Sequence, residues 1–93
     1  MDTREDGRLE SMKDDLYATL ASLTNAKEME SFLADLCTFK EVEQMAQRLY
    51  AARLLKDGMT YTQVIENTGI SSATLSRVSR CVHYGEGYNR VIK

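Results

Sequence analysis

The side chains best suited to chemistry cluster between Ser71 and Arg80: Ser71, Ser72, Thr74, Ser76, Arg77 and Arg80, with Ala73 among them. Hydroxyls can meet base edges or phosphates, and arginine can bond guanine through two parallel hydrogen bonds or hold a phosphate. Short side chains let a helix approach the floor of the major groove. No acidic residue falls between Gly69 and Tyr84, so nothing in that run repels a polyanion. Catalysis finds far less material. His83 is the single histidine, and Cys37 and Cys81 stand far apart. No nucleophile and base share a recognisable spacing, and no phosphate loop or metal-ligand pattern occurs. The chain is read as a non-enzyme with no metal and no cofactor. Cys37 is read as a small buried apolar residue and Cys81 as helix packing or surface.

Residues 60–82, TYTQVIENTGISSATLSRVSRCV, supply the elements that position these groups. Thr60 can cap a first short helix while Gln63 reaches back to the cap amide, with Val64 and Ile65 on the buried side. Gly69 can take the left-handed conformation that ends a helix. Ile70 then plugs the corner, and Ser71 caps a second helix running to about His83. Leu75, Val78 and Val82 recur at three and four residues along that helix and define its buried stripe. This is a helix-turn-helix pattern, and Thr62 and Gln63 of the first helix join the Ser71–Arg80 group as candidate DNA contacts.

Upstream, residues 1–7 are charged and expected to fray. A first helix is expected from about Arg8 to Leu23, with Leu9, Met12, Leu16, Leu20 and Leu23 in a stripe. Asn25 with Glu28 starts a second helix, whose apolar face is Met29, Phe32, Leu33 and Leu36. Thr38 with Glu41 starts a third that continues to Asp57 before a Gly58 stop. Val42, Met45, Leu49, Ala52 and Leu55 lie along one side of it, and Gln44, Gln47, Arg48 and Lys56 can lie beside the reading head. Residues 84–93 read as a glycine-hinged tail in which Val91 and Ile92 dock. The whole is one all-α domain over 1–93, with core and dimerisation helices at 8–57, a helix-turn-helix at 60–83 and the tail at 84–93.

Charge is unevenly distributed. Residues 1–58 hold 8 Lys or Arg against 12 Asp or Glu, a balance of −4, whereas residues 59–93 hold 4 against 2, a balance of +2. The basic end carries the motif, and a homodimer would double its footprint. Three amphipathic helices also present more apolar surface than a chain of 93 residues covers alone, which calls for a second copy. A twofold dimer sets two recognition helices ~34 Å apart and implies a palindromic operator. No apolar run approaches the ~18–20 residues that span a bilayer. The start, MDTREDGRLE, is too charged for a signal peptide, so a cytoplasmic protein without membrane contact is expected.

The run TFKEVEQMAQRLYAARLLKDGMTYTQVIENTGISSATLSRVSRCV, followed by Tyr84 and Gly85, resembles the bacterial Trp-repressor family and, within it, the YerC/YecD-type branch. The resemblance covers about the last two thirds of the chain. It implies a helical homodimer with intertwined N-terminal helices, a helix starting near Ser72 that enters the major groove, and a bacterial transcriptional repressor. It further implies that Arg48 and Arg77 match the two arginines that sandwich the corepressor ring in tryptophan-responsive members, and that Thr74 matches a threonine near that pocket. Val78 stands where those members have glycine, and Cys81 where they have the serine that receives the ligand's amino group. These departures argue against tryptophan binding and mark Arg48, Arg77, Val78 and Cys81 as a pocket that is vestigial or serves another effector. The rival reading is a protein-interaction module built on the same helices.

Overall fold

The computed structural model describes residues 3–93. The described residues are helical throughout, in six segments: α1 Thr3–Ser22, α2 Ala26–Leu36, α3 Phe39–Lys56, α4 Tyr61–Thr68, α5 Ser72–Tyr84 and α6 Gly87–Val91. They fall into two compact units, residues 1–38 and 39–93.

In the first unit, α1 begins at Thr3, ahead of the expected start near Arg8; Met1 and Asp2 lie outside the described residues. Asn25 caps α2 by accepting from the Glu28 amide at 2.9 Å. The return arm of this cap differs from the expected box. Glu28 Oε2 accepts from the Thr24 amide at 3.1 Å, one residue before the cap, because the extended backbone at Asn25 brings that N–H within reach. The apolar stripes lie on these helices, yet none of residues 7–37 is buried. Leu9, Met12, Tyr17 and Leu36 are each at least half exposed, and Cys37 is half-buried rather than enclosed.

The second unit holds the core: Ala51, Ala52, Leu54, Val64, Ile70, Leu75, Val78 and Ile92, with Leu55, Ile65, Val82 and Tyr88 packed on it. Helix α3 is the platform against which α4 and α5 lie. Ala51 and Ala52 are fully buried there, and their small side chains let the crossing helices come close. Of the expected row of Val42, Met45, Leu49, Ala52 and Leu55, Ala52 is buried and Leu55 packs on the core, while Val42 and Met45 are half-buried and Leu49 is exposed, so the row meets the core only at its C-terminal end. Residues two apart on a helix point about 200° from each other, so Leu49 lies away from Ala51, and it lines an open apolar hollow with Cys81 of α5 and with Tyr88 and Val91. Helix α3 therefore carries one apolar face spent on α4 and α5 and a second, with Val42, Met45 and Leu49, that is only partly covered. The residues expected to form a loose tail form α6, with Ile92 buried behind it and Val91 left 66% exposed, so only one of the two expected anchors docks.

Candidate nucleic-acid interface

The turn between α4 and α5 is fixed by its own side chains. Thr60 Oγ1 accepts from the Gln63 amide at 3.2 Å and Gln63 Oε1 accepts from the Thr60 amide at 2.9 Å, a complete capping box. At the other end of α4, Thr68 Oγ1 donates to the Val64 carbonyl at 2.7 Å and accepts from the Ile70 amide at 3.2 Å. Gly69 lies between them at φ 73°, in the left-handed region. Ser71 then caps α5 by accepting from the Thr74 amide at 3.2 Å, and its hydroxyl donates to Thr74 Oγ1 at 2.9 Å. Ile70 plugs the corner, with Leu75 and Val78 beneath it in the core.

With that side buried, the opposite face of α5 is open. Ser71, Ser72, Ala73, Ser76, Arg77 and Arg80 are exposed, as are Thr62 and Gln63 of α4, while Thr74 is half-buried. Gln63 has its oxygen committed to the cap, which leaves its amide group as the free donor. Neither helix has an acid in its first turn. Residues 39–93 contain 8 Lys or Arg against 5 Asp or Glu, a balance of +3, and residues 1–38 contain 4 against 9, a balance of −5.

Two clefts flank the start of α5. One, of about 280 Å³, is lined by Gln44, Gln47 and Arg48 of α3 together with Gly69, Ile70, Ser71 and Thr74. Gln47 Nε2 donates to the Thr68 carbonyl at 3.2 Å, which ties α3 to the turn. Polar side chains of α3 and the cap of α5 thus line one hollow. Gln44 and Gln47 were legible as polar neighbours of the head, whereas Lys56 lies elsewhere, bonded to Asn89 and Ile92. The second cleft, of about 480 Å³, is lined by Arg48, Ala73, Thr74, Arg77, Val78, Cys81 and Tyr88. Arg48, Arg77, Val78 and Cys81, grouped from sequence, do meet here. Val78 forms a floor that is 2% exposed, and Cys81 is an exposed wall. Tyr88, legible only as a tyrosine between tail glycines, joins them because α6 brings it in, and the tail pattern carried no signal of that helix.

The pattern of the Trp repressor protein family matches residues 11–93. The chain belongs to the Trp repressor family. It is 46% identical over 72 residues to the uncharacterized protein YerC of Bacillus subtilis, covering 77% of this chain and 69% of that one. Among solved structures, a candidate Trp repressor from Staphylococcus aureus superposes with a TM-score of 0.83 at 35% identity, covering 87% of this chain and 82% of the other. A TrpR-like protein from Eubacterium eligens gives 0.80 at 39% identity, with coverages of 84% and 81%. Trp repressor family membership makes the chain a DNA-binding regulator by kind, and the family is regulatory rather than enzymatic. No helix among the described residues is long and apolar enough to cross a membrane.

Proposed function

We propose that this Trp repressor family member is a sequence-specific repressor that binds a palindromic operator as a homodimer in the bacterial cytoplasm and does so without tryptophan. The observation that carries the reading is the acid-free outer face of α5, where Arg77 and Arg80 stand exposed, Arg77 in the cleft it shares with Arg48 of α3. In this reading Ser72, Ala73, Ser76 and Arg80 meet base edges, directly or through water. Thr62, Gln63, Ser71, Thr74 and Arg77 hold phosphates and fix the register.

Two features extend it. In the first unit the apolar side chains Leu9, Met12, Tyr17 and Leu36 stand open, and in the second Phe39 is 82% exposed; in this reading a second copy covers them, as the intertwined dimer requires. Val78 fills the slot between α3 and α5 from within. Burial of its side chain contributes ~1.5 kcal/mol or more, which an entering indole would have to displace. Val78 thus acts as a built-in corepressor.

The test is selection of bound sequences from a random DNA pool, with and without tryptophan, followed by Arg77→Ala and Arg80→Ala on the selected operator. A palindrome enriched equally in both pools, with binding and its salt slope lost in the variants, is the expected result. Enrichment only with tryptophan removes the Val78 argument. A protein that enriches no sequence is an interaction module or a repressor that awaits another effector.

A further inference from the structure

The recognition helix is held at its far end by a side chain that belongs to neither of the helices it joins. Asn89, on α6, donates from Nδ2 to the Val82 carbonyl at 2.8 Å and to the Gly85 carbonyl at 3.1 Å. These oxygens lie in the last turn of α5 and just beyond it, where a helix leaves its carbonyls without internal partners. The Oδ1 of the same amide accepts from Lys56 Nζ, in the last turn of α3, at 2.7 Å. Lys56 also donates to the Ile92 carbonyl at 3.3 Å, and the Ile92 side chain is buried in the core. The amide orientation follows from its partners: two carbonyls on one side require the NH2 group, and an ammonium on the other requires the oxygen.

Helices α3, α5 and α6 therefore meet on one amide. The junction is tight by construction. A Cβ on Gly85 would lie 2.7 Å from the Cys81 carbonyl oxygen, so only glycine lets the chain turn from α5 into α6 at this distance. Tyr88, the residue before Asn89, lines the cleft that contains Arg77. The cap and turn fix the N-terminal end of α5 locally, while its C-terminal end is fixed by this non-local set of bonds.

We propose that Asn89, braced by Lys56, is a positioning residue for DNA recognition: it clamps the end of α5 to α3 and sets the angle at which Arg77 and Arg80 are presented. The inference rests on the DNA-binding reading above. Neither clamp residue touches DNA in it, so loss of the clamp lowers affinity for the operator while the phosphate contacts, and with them non-specific binding, persist.

The experiment uses the full chain as Asn89→Ala, Asn89→Asp, Lys56→Met and Lys56→Arg, with backbone hydrogen exchange of the free protein and anisotropy titrations on operator and scrambled DNA. Asn89→Ala removes three exposed hydrogen bonds and is expected to weaken operator binding about fivefold to tenfold. Affinity for scrambled DNA and the salt slope stay unchanged. Asn89→Asp turns acceptors toward the Val82 and Gly85 carbonyls and is expected to match or exceed that loss. Lys56→Met weakens binding about threefold and Lys56→Arg restores it, and exchange of the amides over residues 82–92 quickens in every variant that loses binding. Operator affinity within twofold of wild type in both Asn89 variants overturns the proposal, as does an equal fall on operator and scrambled DNA. Exchange needs no DNA, so a wild-type chain that binds none overturns the functional reading, whereas unchanged exchange in Asn89→Ala overturns the clamp.

Discussion

Replacing Val78 by glycine separates the role assigned to that side chain from ordinary packing. Val78 is 2% exposed and floors the cleft of about 480 Å³ beneath Arg48 and Arg77. Its three side-chain carbons lose about 0.8 kcal/mol of burial each, and glycine in a helix interior adds a few tenths more than valine does. The total is about 3 kcal/mol, which for a domain of this size lowers Tm by on the order of 15 °C. The deepened slot is then open to a flat aromatic ring between the two arginines. A ligand at a hundredfold excess over its Kd returns ~2.7 kcal/mol, so tryptophan is expected to restore most of the variant's stability while leaving the wild type unmoved. Calorimetric melts at one fixed protein concentration read both effects, and operator titrations should show the variant binding only with ligand present. A wild type whose Tm rises with tryptophan, or a variant that loses less than ~1 kcal/mol, refutes the reasoning, because Val78 would not then be filling the slot.

Other outcomes follow from single positions. Gly69→Ala forces a Cβ into φ 73° and is expected to cost about 1 kcal/mol by urea unfolding; the nearest atom, Gln47 Nε2, is 3.9 Å from that Cβ, so the cost is backbone strain rather than collision. Thr60→Ala opens the capping box and is expected to cost ~1 kcal/mol in the same assay, with Thr60→Ser retaining most of it. Gly85→Ala drives a methyl against the Cys81 carbonyl, and loss of protection over α6, read by hydrogen exchange, is the expected sign. Phe39→Asp places a charge on a side chain that is 82% exposed, and if a second copy covers it, as proposed, sedimentation is expected to shift from dimer toward monomer.

What the sequence made legible and what it hid divide by the range of the interaction. Thr60 with Gln63, Gly69 and Ser71 act within three or four residues of themselves, and each takes the expected role. The register of α3 was hidden because periodicity reports every apolar face of a helix at once. Val42, Met45 and Leu49 stand out as a stripe by their size, while the face that binds α4 and α5 is built from Leu54 and Leu55 together with Ala51 and Ala52, and the alanines, fully buried, carry little hydropathic weight. Helix α6 was hidden for a different reason. Five residues opening on glycine have no propensity to form a helix alone, and the bonds from Asn89 and Lys56 join positions 33 residues apart. At the site, Arg48, Arg77, Val78 and Cys81 were grouped through the family resemblance, and Tyr88 escaped because it arrives on that same helix.

The two kinds of interaction bear differently on affinity and on specificity. Local caps make α5 a helix with a defined start, and they hold whatever the angle of that helix to α3. A phosphate contact tolerates some change of angle, because a long arginine side chain can follow an oxygen. A bidentate bond to a base does not, since two donors must meet two acceptors in one plane. Substitutions in the turn are therefore expected to change stability first, with operator and scrambled DNA weakened together. Substitutions at Asn89 and Lys56 are expected to change the ratio between the two DNAs at nearly constant stability, since both side chains are exposed and their bonds are few. Measuring both ratios for one variant of each kind, Thr60→Ala and Asn89→Ala, distinguishes a head whose geometry is set by its own turn from one whose geometry is completed by α6.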